Sequence, residues 1–191
     1  MSNFTTYAYN PSVKMAQERY GARKNGARME QSGDRFILTE TENAFIASRD
    51  SFYIASAGEN GWPYVQHRGG PPGFLRVLDD RTLAFADFRG NRQYITTGNV
   101  DGSEKASLFL MDYPSQQRLK IWAEAKVVDR DENPELIEQL NPDGYGAKAE
   151  RAFVLTVKAY DWNCPQHITP RFTAAEIEAG LAGPEAQNLF A

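Results

Sequence analysis

A mainly β fold, an antiparallel barrel or sandwich with peripheral helices, is what this sequence predicts. Short apolar, alternating runs recur at intervals of roughly 8–12 residues with turn residues between them. No alternating strand–helix rhythm appears, so a parallel sheet has no support. Aromatic residues make up 12% of the chain, which suits a strand-dominated core and flat ligands that stack.

The elements follow in order. Residues 1–33 carry many charges and glycines and one helical candidate at 12–20. Ser12 is its expected cap, and Val13, Met15, Ala16 and Tyr20 form a loose apolar face. This segment reads as an arm that packs on the body or on a partner chain, with 34–191 as the domain proper. Thr39-Glu40-Thr41-Glu42 fits a capping box, and Ala44, Phe45, Ile46 and Ala47 continue a short amphipathic helix. Strands are expected over 51–57 and 62–68, joined by the turn Gly58-Glu59-Asn60-Gly61. After the stiff loop 69–73, strands over 74–78 and 82–87 flank the turn Asp79-Asp80-Arg81. The stretch 91–98 reads as a short helix ended by Gly98 and Asn99. Strands over 106–112 and 118–129 come next, the second long and alternating. A helix over 134–140 carries Pro134 in its first turn. The last strand is expected over 152–162 and a final helix over 173–181, begun by a Thr173 cap, with a frayed tail from Ala182.

Composition narrows the function. The 191 residues are 41% hydrophobic and 24% charged, an ordinary globular balance with room for one sizeable core. A net charge of −4 argues against nucleic acid as a partner. The single cysteine, Cys164, excludes an intramolecular disulfide. No apolar run approaches the ~20 residues needed to span a bilayer, and the first residues lack a signal-peptide core. A cytoplasmic protein is the expectation. There is no paired-carboxylate, Ser-His-Asp or P-loop pattern, so hydrolysis and nucleoside triphosphate chemistry lack support. Zinc would need about four ligands, and no Cys/His cluster supplies them, so no metal is expected. Cys164 beside His167 invites a Cys–His nucleophile, but a lone inert thiol is the plainer reading.

The most informative stretch is Ala84-Phe85-Ala86-Asp87-Phe88-Arg89-Gly90-Asn91-Arg92-Gln93. An alternating strand there runs into a Gly-Asn break and then a basic segment. Free backbone N–H groups with arginines at hand are a place to hold a phosphate. A second basic strand end, Gln66-His67-Arg68-Gly69-Gly70, precedes it. Two such ends in one small domain suggest a single phosphorylated ligand between them, for which the forked guanidinium is better suited than lysine. Arg76 and Arg89 read as surface charges, and Trp122 and Trp162 as barrel core or dimer interface.

Taken together, Arg68-Gly69-Gly70-Pro71, the run from Pro72 to Asp79, Phe85-Ala86-Asp87 and Gly90-Asn91-Arg92 resemble, in this order, the pyridoxamine 5′-phosphate oxidase-like flavoproteins. The resemblance runs from about Thr39 to Arg171. Trp162-Asn163-Cys164-Pro165-Gln166-His167-Ile168 is similar to a subgroup of flavin-nucleotide-binding proteins in that superfamily. The resemblance implies an antiparallel, Greek-key-like split β-barrel and a homodimer with FMN at its interface. It also implies that Arg68 and Arg92 grip the phosphate, beside Gly69, and that Asp87, Phe88, Gly90 and Asn91 line the ribityl chain and ring. Gln66 and His67 would sit on the neighbouring strand end. Gln117 and Arg118 would reach the flavin from the second subunit, and Cys164, Gln166, His167 and Arg171 fall in the C-terminal motif. True vitamin B6 oxidases end in a tryptophan followed by Arg-Leu and use an Arg-x-His element for the substrate phosphate. This chain has neither, so the resemblance supports the FMN site and not pyridoxamine phosphate as substrate. The activity implied is FMN-dependent oxidoreduction of a small organic molecule, with His67 or His167 as the candidate acid or base. The alternatives are a non-catalytic flavin carrier or sensor, or a split barrel that uses F420 or haem.

Overall fold

The computed structural model describes residues 3–162 and 164–182. Its centre is one seven-stranded sheet. The strands are β1 (Ser51–Ala57), β2 (Pro63–Gly69), β3 (Leu75–Val77), β4 (Thr82–Phe88), β5 (Lys105–Asp112), β6 (Gln117–Asp129) and β7 (Ala149–Trp162). They stand in the order β2-β1-β5-β6-β7-β4-β3, and every neighbouring pair is antiparallel.

This sheet cannot be flat. β2 and β3 are its two edges, yet residues 70–74 alone connect them. Seven strands laid flat would hold those edges roughly 29 Å apart, while so short a link spans roughly 20 Å at full stretch. The sheet therefore curls into a half-barrel, and the β2–β3 link closes its open side. Gly70 makes that turn possible, because a Cβ there would meet the Phe74 side chain at 2.7 Å. Inside the curl, Phe52 of β1 stacks on Phe74 at 5.5 Å and meets Phe85 of β4 edge-on at 5.2 Å. Phe85 in turn stacks on Phe153 of β7 at 5.0 Å. These buried rings join the two halves of the sheet, each contributing about 1.5–3 kcal/mol by leaving water.

The first hairpin forms as its sequence requires. Gly61 takes φ +82°, and Gly58 N–H donates to the Trp62 carbonyl at 3.1 Å. The capping box is also present at the helix Glu40–Ala47. Glu42 accepts there from the Thr39 N–H at 3.0 Å and the Thr39 hydroxyl at 2.5 Å. Its other oxygen accepts from Trp162 Nε1 at 2.7 Å, and the Trp162 ring packs edge-on against Phe45 at 4.7 Å. Burial would raise the Glu42 pKa, but these donors outweigh it and hold the carboxyl below its ordinary range. The helix Pro134–Leu140 and the Thr173-capped helix Ala174–Ala182 stand where expected, to within a residue; the tail from 183 lies outside the described residues.

Three regions differ from expectation, the smallest difference being at β7, which begins at Ala149 where 152 was expected. The arm holds three helices, Phe4–Ala8, Pro11–Arg19 and Arg23–Glu30, where one was expected. The second is capped by Asn10, whose Oδ1 accepts from Val13 N–H at 3.0 Å, and not by Ser12. The arm is anchored by Phe4, which is buried and stacked on Trp122 of β6 at 5.9 Å, and by Asn3, whose side chain donates to the Ser32 carbonyl at 2.9 Å. The helix expected over 91–98 runs instead from Ile95 to Ser103. It passes through Gly98 because Val100 is buried and Asn99 donates to the Ser56 hydroxyl at 3.0 Å, so tertiary contacts override a weak local stop.

Candidate anion site at the barrel mouth

Where β2 and β4 end, curling brings together side chains that no backbone ladder pairs. Arg68 of β2 forms an ion pair with Asp87 of β4, although four strands separate β2 from β4 along the sheet by one route and β3 by the other. Arg151 of β7, directly opposite Asp87 in register, donates to its second oxygen at 3.0 Å. Asp87 is 6% exposed. A bulge between Asp87 and Phe88 re-aims the end of β4 at this point. The Arg68 guanidinium also lies over the rings of Phe85 at 5.8 Å and Phe153 at 5.4 Å, so the aromatic core is its floor.

The loop after β4 completes the wall. Asn91 accepts from Gln93 N–H at 3.1 Å, and Arg92 (φ 63°) and Tyr94 (φ 53°) take left-handed conformations that such residues adopt rarely. The Tyr94 ring lies under the Arg151 guanidinium at 4.7 Å, and its hydroxyl accepts from Arg92 Nε at 3.4 Å. Hydrogen bonds from Arg92 and then Arg151 hold the Tyr94 pKa below its ordinary value. Burial works to lower the Arg151 pKa, but Tyr94 and Asp87 outweigh it, and the net shift is upward. Thr96 donates to Gln66 Oε1 at 2.7 Å and ties the following helix to β2.

These groups line a hollow of about 170 Å³. Arg68, Arg92 and Arg151 face Asp87 and Glu150 across it, so three guanidiniums against two carboxylates leave one positive charge in excess. Among the described residues Arg68 Nε is buried without a hydrogen-bond partner. A Cβ on Gly90 would meet nothing within 4 Å, so the protein itself does not require the missing side chain there.

Of the residues singled out in the sequence, Gln66, Arg68, Asp87, Phe88, Gly90, Asn91 and Arg92 line this hollow together. His67 does not. The two-residue period of β2 turns it to the other face, exposed, with its ring edge-on to Tyr53 at 5.6 Å. Gly69 ends the strand, where a Cβ would approach His67 Cε1 at 3.1 Å. Gln117 and Arg118 stand apart from the hollow, at the start of β6, and Arg118 Nε is likewise buried without a partner. The C-terminal candidates gather near that hairpin: Gln116 Nε2 donates to the Ile168 carbonyl at 2.6 Å, and the Arg171 guanidinium lies over Tyr113 at 4.8 Å. Cys164, Gln166 and His167 are exposed there, His167 at φ 64°, while Asn163 lies outside the described residues. Sequence reasoning missed Arg151, Glu150, Tyr94 and Thr96. Tyr94 was legible as the neighbour of Arg92; Arg151 needed the β4–β7 register.

A family model described as pyridoxamine 5′-phosphate oxidase matches residues 38–164. No curated protein sequence matches the chain. Among solved structures, HupZ from Group A Streptococcus is similar at 13% identity with a TM-score of 0.55, covering 71% of this chain and 100% of that one. An FMN-binding protein from Syntrophomonas wolfei subsp. wolfei is similar at 15% identity and a TM-score of 0.53, covering 77% and 97%. A conserved hypothetical protein from Mycobacterium tuberculosis follows at 14% identity and 0.50, covering 75% and 97%. At these identities the likeness is one of fold.

Proposed function

The chain belongs to the pyridoxamine 5′-phosphate oxidase family, and on that premise we propose that it binds FMN in the arginine-lined hollow and acts as an FMN-dependent oxidoreductase on a small organic substrate. The observation that carries this reading is the pairing of excess positive charge with an unpartnered, buried Arg68 Nε in one hollow. Arg68, Arg92 and Arg151 would hold the phosphate, for which charge-assisted, forked donors are suited. Asp87 keeps two of those guanidiniums in place before any ligand arrives, so less order is lost on binding. Phe88, packed on Tyr145 at 5.1 Å, offers an apolar wall beside them. When bound, the flavin supplies hydride or electron transfer, and the protein orients it and tunes its charge.

The remaining candidates support a shared site. Gln117, Arg118 and the C-terminal group line no part of the hollow within one chain. Two sets of site residues on separate parts of a chain are what a homodimer would need if each flavin lay between a hollow and the partner's β5–β6 hairpin. The test is retention of flavin. Wild-type protein is expected to purify yellow, and Arg68→Ala with Arg92→Ala to lose affinity on the order of 100-fold while its circular dichroism stays unchanged. A double variant that purifies with stoichiometric flavin would overturn the assignment. Neither histidine lines the hollow, which favours a flavin carrier as the second reading. Rapid reduction of the bound flavin by NAD(P)H supports the enzyme, and inertness to all but dithionite supports the carrier.

A further inference from the structure

The hollow is open at its far end. Tyr64 and Ile95, which form part of its wall, also line a second groove that runs on toward the first hairpin turn. Along β2 the residues of one parity, Arg68, Gln66 and Tyr64, face this side, and Trp62, one residue before the strand, continues the row into the second groove. At about 3.3 Å per residue the row extends roughly 20 Å from Arg68 to Trp62. Trp62 is 76% exposed. An indole so open, at the end of a channel that begins among guanidiniums, is a platform for a flat ring. Among the described residues lining the groove Glu59 alone is charged, which disfavours a polyanionic tail; Asn60 Oδ1 accepts from Trp62 N–H and Asn99 Nδ2 donates to the Ser56 hydroxyl, so the other ends of these two carboxamides are the polar edges suited to a base.

Resting on the reading of the hollow as a flavin phosphate site, we propose that this groove receives the adenosine half of flavin adenine dinucleotide, its base stacked on Trp62. The chain then binds the dinucleotide more tightly than FMN. The experiment is a titration of flavin-free full-length protein with FMN and with FAD, followed by fluorescence, for wild type, Trp62→Ala and Trp62→Phe. FAD is expected to bind about tenfold more tightly than FMN, the order associated with one base stacked on an aromatic side chain. Trp62→Ala should bring FAD to the level of FMN while leaving FMN unchanged, and Trp62→Phe should restore most of the difference. Equal affinities in wild type, a preference for FMN, or a Trp62→Ala variant weakened for both ligands would overturn the inference and leave the flavin reading standing. Binding of neither ligand would overturn both.

Discussion

Glu42 and Asp87 are both buried carboxylates, 4% and 6% exposed, yet they are built in opposite ways. Glu42 is held by neutral donors: its own helix cap, through Thr39, and the Trp162 indole. Each of its oxygens has a partner, and the arrangement joins the helix Glu40–Ala47 to the end of β7. Asp87 is held by two cations, Arg68 and Arg151, and the set around it carries more positive charge than it can neutralise. The first carboxylate is complete within the protein. The second organises donors that still have capacity left, as the unpartnered Arg68 Nε shows. A closed hydrogen-bond set serves the fold; on the reading proposed above, a cationic set with a buried unused donor serves a ligand.

The largest effect that would test this contrast is at Asp87. Asp87→Ala leaves two mostly buried guanidiniums facing each other, and a loss of about 3 kcal/mol in urea unfolding is expected. A loss below about 1 kcal/mol would mean that solvent already screens the cluster. Glu42→Ala removes the cap and the indole's acceptor, with an expected loss of about 2 kcal/mol, read from the same melts. The pH dependence sharpens the comparison further. Because the folded Glu42 carboxyl titrates below its ordinary value, its contribution is fully present above the ordinary carboxylate range and is lost as pH falls through the folded value. The gap in stability between wild type and Glu42→Gln, about 1 kcal/mol near neutral pH, should therefore shrink on acidification in melts between pH 7 and 3. A gap that stays constant would remove the ionised carboxylate from the account. The smallest effect is at Arg92, exposed and in a left-handed conformation. Arg92→Gly relieves that backbone and is expected to raise the melting temperature by about 1–2 °C while weakening flavin retention. A lower melting temperature would show that its bond to Tyr94 matters more than the strain.

How much of this was legible in the sequence follows from how local each feature is. β1 spans 51–57 as read, because alternation and the Gly58–Gly61 turn are encoded within a dozen or so neighbours. The Glu42 capping box is equally local, but its bond to Trp162 joins residues 120 positions apart and has no local sign. The helices Phe4–Ala8 and Arg23–Glu30 are short, and depend on Phe4 finding Trp122 and Asn3 finding Ser32. At the site, Arg68, Asp87 and Arg92 were recognisable as residue types near glycines at strand ends, whereas Arg151 lay unmarked one residue before the strand expected from 152, in what is the start of β7.

Sequence alone thus determined where most strands begin and turn, which helix is capped by its own glutamate, and which strand ends are basic. Only the tertiary structure decided that His67 faces away from Arg68, that Arg151 stands opposite Asp87, and that β2 meets β4 across the mouth. The physical reason is geometric. A strand's two-residue period assigns faces only once the core side is chosen, and a curled sheet makes neighbours of strands that share no hydrogen bonds.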